Sequence, residues 1–390
     1  MIHKSFWQNK NVLITGHTGF KGSWLALWLL KKGAKVSGIS LEPNTKPSLF
    51  DQLEINLELQ NNYYQDIREE KKIQELVNNV KPDIVFHMAA QPLVRESYLD
   101  PLGTWDVNVM GSLNILSAIS NLSNLCAVVM ITTDKVYKNK EWQFGYREND
   151  ELGGYDPYSA SKAACEIAIQ SWRASFCNLK KNNASNIAIA SARAGNVIGG
   201  GDWAKDRILP DTILSLVDNK EILVRNPEAK RPWQHVLEPI SGYLTLAEKL
   251  YLTQKNIKSE KDNCFSSSFN FGSNLESNKK VSELVNQILT YWPGSWKLKK
   301  SEINLHEAKQ LHLNTDNAFR VLNWHPLWNF DTTIKRTVDD RLPKWLHSKI
   351  LSACDKICNV LTLRSSSPGP PHAHATSIHI RDPASHAVLA

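Results

Sequence analysis

Val12-Leu13-Ile14-Thr15-Gly16-His17-Thr18-Gly19-Phe20-Lys21-Gly22-Ser23-Trp24-Leu25 runs from an apolar strand-like stretch through a glycine-spaced turn into an apolar helical stretch. A phosphate-binding turn needs that order. Gly16 permits the tight turn, Gly19 lets the backbone approach a pyrophosphate, and Gly22 allows close helix packing, while the helix N-terminus offers oriented N–H donors. A glycine pattern alone is weak; strand, turn and helix in succession read as a dinucleotide-binding unit.

Outward from this unit, short apolar runs alternate with longer amphipathic stretches, the form of strand-helix-strand units around a parallel sheet. Six strands are predicted, over 11–15, 35–41, 62–66, 84–88, 127–132 and 187–193. Helices over 22–32, 69–80, 104–121 and 158–177 are long enough to make the crossovers. The predicted fold class is therefore a doubly wound α/β parallel sheet of the Rossmann type, occupying residues 1–198. From Gly199 the texture changes to Gly, Pro, Trp and Arg in irregular segments, with helices near 238–253 and 280–290. Residues 199–364 read as a smaller, mainly substrate-binding lobe with possible strand or helix returns to the first domain. The stretch 365–390 contains Ser-Ser-Ser-Pro-Gly-Pro-Pro and shows no strand or helix period, so it reads as a disordered tail. His372, His374, His379 and His386 lie there, and a metal-binding tail is the alternative to a mobile polar appendix.

Composition narrows the classes. The chain has 390 residues, 42% hydrophobic and 22% charged, which excludes a disordered chain, a collagen or a coiled-coil rod. Lys and Arg number 46 against 39 Asp and Glu, and the net +7 suits an anionic partner: nucleic acid, membrane surface or a small phosphate ligand. The longest apolar runs, 24–30 and 125–131, fall short of the ~18 to 20 residues that cross a bilayer. Without a stretch of signal-peptide form at the start, the expected compartment is the cytoplasm. The 6 cysteines (126, 165, 177, 264, 354 and 358) include no Cys-x-x-Cys pair, so neither disulfides nor zinc, nor any other metal site, are expected in the fold.

Chemistry concentrates in two places. Tyr158-Ser159-Ala160-Ser161-Lys162 opens an amphipathic helix, and its four-residue spacing puts phenol and ammonium on one face. A free tyrosine has a pKa of about 10, so it serves as a base near neutrality only where positive charge favours the phenolate. Lys162 and a nicotinamide ring would supply that charge. Before it, the fifth strand ends in Thr132-Thr133-Asp134-Lys135-Val136-Tyr137. At the second strand, Ser40 or Glu42 stands where an acidic residue would hold the ribose of NAD, and no Arg nearby awaits the extra phosphate of NADP. Asp66 ends the third strand, placed for an adenine amino group or, alternatively, as a helix cap for the segment from Arg68.

With the glycine turn, Thr133 and Tyr158-x-x-x-Lys162 in this order, the sequence resembles the extended short-chain dehydrogenase/reductase family. The segments 15–25, 89–95, 133–135, 193–203, 231–236, 269–272 and 305–308 resemble its NAD-dependent sugar-nucleotide 4,6-dehydratases, within them the branch acting on CDP-glucose. The resemblance covers roughly residues 5 to 360. It implies a catalytic set of Thr133, Asp134, Lys135, Tyr158 and Lys162, with Asp134 as proton donor to the leaving C6 hydroxyl and so protonated when it acts. Lys135 would be the C5 base or an enolate stabiliser, with a surface lysine as the plain alternative. Cofactor contacts are implied for Gly16, Thr18, Gly19, Phe20, Lys21, Gly22, Ser40, Asp66, Ile67, Ala89, Ala90, Gln91 and Asn108, besides Tyr158 and Lys162.

For the substrate diphosphate the resemblance points to Asn196, Arg231 and Asn270, with Lys205 and Arg207 as neighbours. Trp203 and Trp233 read as packing residues rather than base-stacking platforms. The implied partners are CDP-glucose and a second copy in a homodimer or homotetramer through helices 104–121 and 158–177, not nucleic acid or a membrane. The implied product feeds deoxysugar synthesis of the lipopolysaccharide O-antigen kind. Two other readings stay open: a dehydratase or epimerase on another sugar nucleotide, and a non-catalytic NAD- or RNA-binding relative of the fold.

Overall fold

The computed structural model describes residues 4–177, 186–256, 264–299 and 310–339. The segment 305–308, Cys354, Cys358 and the stretch 365–390 lie outside the described residues. The main sheet has strands β1 (Asn11–Thr15), β2 (Lys35–Ser40), β3 (Asn61–Tyr64), β4 (Ile84–His87), β5 (Cys126–Ile131), β6 (Ile187–Ala194) and β7 (Ser268–Phe271). Their order is β3-β2-β1-β4-β5-β6-β7 and every pairing is parallel. β4, β5 and β6 are buried along their whole length, as expected of strands covered on both faces, which explains their unbroken apolar or small-residue character.

The longer helices are α1 (Phe20–Lys31), α2 (Glu70–Val80), α3 (Pro101–Trp105 continuing through Asp106–Met110 to Gly111–Ser120), α4 (Pro157–Phe176), α5 (Ile208–Val217), α6 (Leu237–Asn256), α7 (Val281–Leu289) and α8 (Phe330–Asp339). One core layer joins α1 and α6 to a face of the sheet, with Trp24, Trp28, Tyr243 and Leu244 buried in it. The other holds Ile73 and Val77 of α2, Ile115 and Ile119 of α3, and Cys165 and Ile169 of α4. The helix expected over 104–121 starts earlier and contains a π-turn at Asp106–Met110. Asp100 caps its start by accepting from the Gly103 N–H at 2.9 Å.

Residues beyond 199 divide between two cores. α6 and β7 belong to the main sheet, and β7 is a seventh strand that the six-strand reading lacks. α5, α7 and α8 enclose a separate core with Ile213, Leu216, Val224, Leu284, Ile288 and Ile334. Sheet order reverses between β1 and β4, so the crevice above their C-terminal ends is where a parallel sheet of this kind receives its ligands. No helix among the described residues is long and apolar enough to cross a membrane.

Candidate active site

A cleft of about 1550 Å3 runs over that crevice and is lined from both cores. Its floor begins at the turn after β1. Gly16 has φ +76°, and a Cβ there would stand 2.7 Å from the Ala89 nitrogen. A Cβ on Gly22 would lie 2.1 Å from the Gly16 carbonyl oxygen, so the turn closes only with glycine. Gly19 holds the N-cap position of α1, whose first turn, Phe20 and Lys21 included, faces the cleft. The Thr18 hydroxyl donates to the Leu41 carbonyl at 2.9 Å and therefore accepts from Ser40 at 2.8 Å. Ser40 and Glu42 both line the cleft, leaving both ribose candidates at the right edge.

Further along the floor, Asp66 accepts from the Arg68 backbone N–H at 2.9 Å and from its guanidinium at 2.6 Å, which holds its carboxyl below the ordinary range. It thus caps the turn at Arg68 rather than α2, whose N-cap position is Glu69. Arg68 itself lines the cleft and went unassigned in the sequence reading. Ile67 lines the floor beside Ala89 and Ala90.

Gln91 and Asn108 are placed behind the wall, not on it. The Gln91 amide donates to Leu93 O and Thr104 Oγ1, and Asn108 accepts from Gln91 N at 2.9 Å while donating to Ser161 Oγ at 3.0 Å. Their expected contact with a cofactor becomes a bracing contact, because their polar groups are consumed in holding the loop after β4 against α4. The π-turn of α3 is what turns Asn108 inward. Beside it, buried His87 bridges Thr15 Oγ1 at 2.7 Å and Ser112 Oγ at 2.9 Å. Burial, with Lys162 nearby, lowers its pKa to about 3, so it stays neutral.

The five catalytic candidates meet. Asp156 caps α4 through the Ser159 N–H at 2.9 Å, with Pro157 at the first helical position, and this start puts Tyr158 and Lys162 one turn apart. Both are buried and line the cleft. From the end of β5, the Thr133 hydroxyl donates to Asp134 Oδ1 at 2.9 Å and stands near the Tyr158 phenol. Asp134 is 3% exposed, and Lys135 Nζ stands 3.9 Å from its carboxylate.

Burial pushes the Tyr158 phenol up to about 12; the Thr133 hydroxyl opposes this and the Asp134 charge reinforces it. Desolvation outweighs the cations near the phenol and also pulls Lys162 itself below its ordinary value. Burial, with Arg207 adding to it, brings the Lys21 ammonium down to about 8; Asp134 and Lys162 also act on it. Lys21, Lys135, Lys162 and Arg207 thus stand close to Asp134, with Arg207 also paired to Asp202.

At the far end, Asn196, Lys205, Arg207 and Arg231 all line the cleft. Arg207 pairs with Asp202 at 3.2 Å, and Arg225, which the sequence reading passed over, joins Asp206. Asn270 is not brought there. It is fully buried, accepting from Tyr137 Oη at 2.7 Å and donating to the carbonyls of Tyr146 and Asn314, so its amide is spent in the core rather than on a diphosphate. Trp233 is 4% exposed and donates to the Lys279 carbonyl, as a packing residue does. Trp203 lines the cleft and donates to Gln52 at 3.3 Å.

A model of the GDP-mannose 4,6 dehydratase family matches residues 13–337. A CDP-glucose 4,6-dehydratase from Salmonella typhimurium is 46% identical over 358 residues, covering 91% of this chain and 97% of that one. A dTDP-D-glucose 4,6-dehydratase from Dictyostelium discoideum is 29% identical over 227 residues, covering 55% of this chain and 50% of that one. Among solved structures, a UDP-glucose 4-epimerase from Thermotoga maritima with UDP-glucose superposes with a TM-score of 0.68 at 20% identity, covering 84% of this chain and 97% of that one. A dTDP-glucose 4,6-dehydratase from Bacillus anthracis str. Ames in complex with NAD gives 0.67 at 18%, covering 85% and 96%. At these identities the structural likeness speaks for the fold. The match over most of the chain takes in the glycine turn, the Thr133-Asp134 pair and the Tyr158–Lys162 helix turn, so this chain belongs to the GDP-mannose 4,6-dehydratase family.

Proposed function

We propose that this protein is an NAD-dependent CDP-glucose 4,6-dehydratase, converting CDP-D-glucose to CDP-4-keto-6-deoxy-D-glucose and water. The observation that carries the reaction class is Asp134 bonded to Thr133 in the cleft that also presents Tyr158: an acid for one sugar carbon beside a base for another. The nucleotide choice rests on the relative that is 46% identical over nearly its whole length.

The residues present fit a dinucleotide. The glycine cradle leaves backbone N–H groups open at α1, and the floor continues past Ser40, Asp66 and Ala89 to Tyr158. At about 1550 Å3 the cleft exceeds the ~300 to 1000 Å3 of a single small-molecule site, so it has room for a sugar nucleotide alongside. The chemistry required of NAD+ is a reversible two-electron store, loaded at C4 of the glucosyl group and emptied at C6.

Tyr158 takes the proton of the C4 hydroxyl, oriented by Thr133, with Lys162 offsetting the phenolate charge. The resulting ketone acidifies C5–H, and Lys135, at the cleft wall beside Asp134, receives that proton in its neutral amine form or, as an ammonium, steadies the enolate while another base takes it; C5 regains a proton as C6 is reduced. Asp134 protonates the C6 oxygen, which leaves as water. One water departs and net redox is zero. Arg207 and Arg231 meet the diphosphate. Exposed Leu102, Trp105 and Met110 on α3 and Ile167 and Phe176 on α4 support pairing with a second copy through these helices.

Mass spectrometry of CDP-glucose incubated with the purified protein tests the assignment. Loss of one water without net reduced cofactor is expected, and Tyr158→Phe should cut the rate about 10²- to 10⁴-fold. Preference for dTDP-, UDP- or GDP-glucose would move the assignment to another nucleotide. Salt-sensitive RNA binding without turnover would remove it from catalysis altogether.

A further inference from the structure

Directly beneath the catalytic groups lies a buried ion pair with no part in the chemistry above. Glu166 and Arg193 are both 0% exposed, and Arg193 Nη2 donates to Glu166 Oε2 at 2.8 Å. Glu166 sits one helical turn after Lys162 and two after Tyr158 on α4. Its other oxygen accepts from Thr132 Oγ1 at 2.5 Å, and Thr132 is the residue before Thr133. Ser191 of β6 donates to Oε2 at 2.9 Å. The second arm of Arg193 donates to Tyr137 Oη at 2.8 Å and to the Glu148 carbonyl at 2.9 Å, and the Tyr137 hydroxyl donates in turn to Asn270 Oδ1 on β7 at 2.7 Å.

Five pieces of chain therefore meet on one pair: α4, the end of β5, β6, β7 and the segment 137–148. Two of them carry the proposed chemistry, and they carry different halves of it. Tyr158 and Lys162 ride on α4, whereas Thr133, Asp134 and Lys135 extend from β5. Apart from Thr133 reaching the Tyr158 phenol, the bond from Thr132 to Glu166 ties the two halves directly, just below the reacting groups. A buried pair is a weak source of stability, because desolvation offsets much of its attraction, whereas its directional bonds hold registry firmly. Burial alone would raise the Glu166 carboxyl, yet Arg193 and the two hydroxyls outweigh it, so the anion persists and keeps all its donors.

We propose that the Glu166–Arg193 pair is a positioning element that sets the height of Thr133-Asp134-Lys135 against Tyr158-Lys162, so that oxidation at C4 and elimination across C5 and C6 stay in step. Neither residue lines the cleft, so the effect is exerted through Thr132 and not on substrate. This rests on the dehydratase reading above.

Thr132→Val is the mildest test, since it keeps shape and strand preference and removes the hydroxyl that reaches Glu166, although Thr132 also borders the cleft. We expect kcat to fall about tenfold with KM within about twofold, and Glu166→Gln to lower kcat about a hundredfold, as a small misplacement of reacting groups does. In both, absorbance of enzyme-bound reduced cofactor should build up during turnover, because the groups on α4 still act while Asp134 lags. A merely structural pair would lower active protein without that build-up. Should Glu166→Gln fail to fold, the neutral pair Glu166→Gln with Arg193→Met removes the stranded charge and should show the same build-up. Parental kcat and no build-up in a Thr132→Val protein that melts like its parent would overturn the inference. If the parent itself does not dehydrate CDP-glucose, the reading of the reaction fails, and a crystal structure of Thr132→Val decides in its place. Displacement of the Thr133 hydroxyl from the Tyr158 phenol supports the positioning role; an unmoved hydroxyl refutes it.

Discussion

At the cofactor end the cleft wall is mostly backbone; at the sugar end it is mostly side chains. The first is one continuous piece of chain, Gly16 to Gly22, whose geometry depends on atoms that are missing from glycine. The second is gathered from Asn196, Arg207, Arg225 and Arg231, and two of its cations are already engaged with Asp202 and Asp206. Backbone walls have no rotamers to adjust, so they fail abruptly. Side-chain walls lose contacts one at a time, and their cations can trade an internal carboxylate for a ligand phosphate.

Substitution can break this contrast. The largest effect is expected from Gly22→Ala, whose Cβ would press on the Gly16 carbonyl oxygen at 2.1 Å. Forcing the turn open should cost about 3 kcal/mol of stability in denaturant unfolding and abolish dinucleotide binding in fluorescence titration. A variant that melts like its parent and keeps cofactor would show the wall to be adaptable after all. Arg231→Ala should act more gently. It removes one charged contact from the sugar end, so KM for the sugar nucleotide rises about 10- to 100-fold while kcat changes little, as steady-state kinetics would register. A drop confined to kcat would place Arg231 with the reacting groups.

Where the two ends meet, at Lys21, the effect is one of pH. Its folded pKa, about 8, lies below the ordinary 10.5, so the folded state binds this proton less tightly than the unfolded chain does. The resulting penalty is present in full below pH 8 and fades as pH rises from 8 to 10.5. Lys21→Met should therefore be more stable than the parent near neutrality, with the gain shrinking toward pH 10.5. Parallel unfolding curves across that range would mean that the ammonium is better solvated than its surroundings imply.

The same contrast governs what could be read from the chain. Six of the seven strands are legible to within a residue or two, because runs such as Val12-Leu13-Ile14 and Ile84-Val85-Phe86 are apolar on both faces. β7 escaped because Ser268-Phe269-Asn270-Phe271 alternates with polar residues that tertiary partners satisfy: Ser268 and Asn270 are buried on hydrogen bonds, not on solvent. Propensity sees the serine and asparagine but not their partners. Asn270 was misplaced for the same reason. Gln91 and Asn108 went to the cofactor because loop sequence does not say which side of a wall a polar side chain takes. The π-turn that decides this for Asn108 leaves no mark in helical periodicity. Glu166 and Arg193 lie on different elements, and only the packing of α4 on β6 makes them a pair.

β7 pairs with β6 only after the chain has passed through the whole of 195–267. On the ribosome, β6 is the provisional edge of an unfinished sheet until residue 271 has been made, an interval of roughly 4 to 15 s at ordinary rates of synthesis. An open parallel edge invites the wrong neighbour. β6 meets that interval with Ala188, Ala190, Ser191 and Ala192, small side chains that offer little to grip, and with a charge, Arg193, near its end. An inward-facing charge is one of the devices by which an edge strand discourages the wrong neighbour, and on β6 it is the residue that pairs with Glu166 in the finished fold.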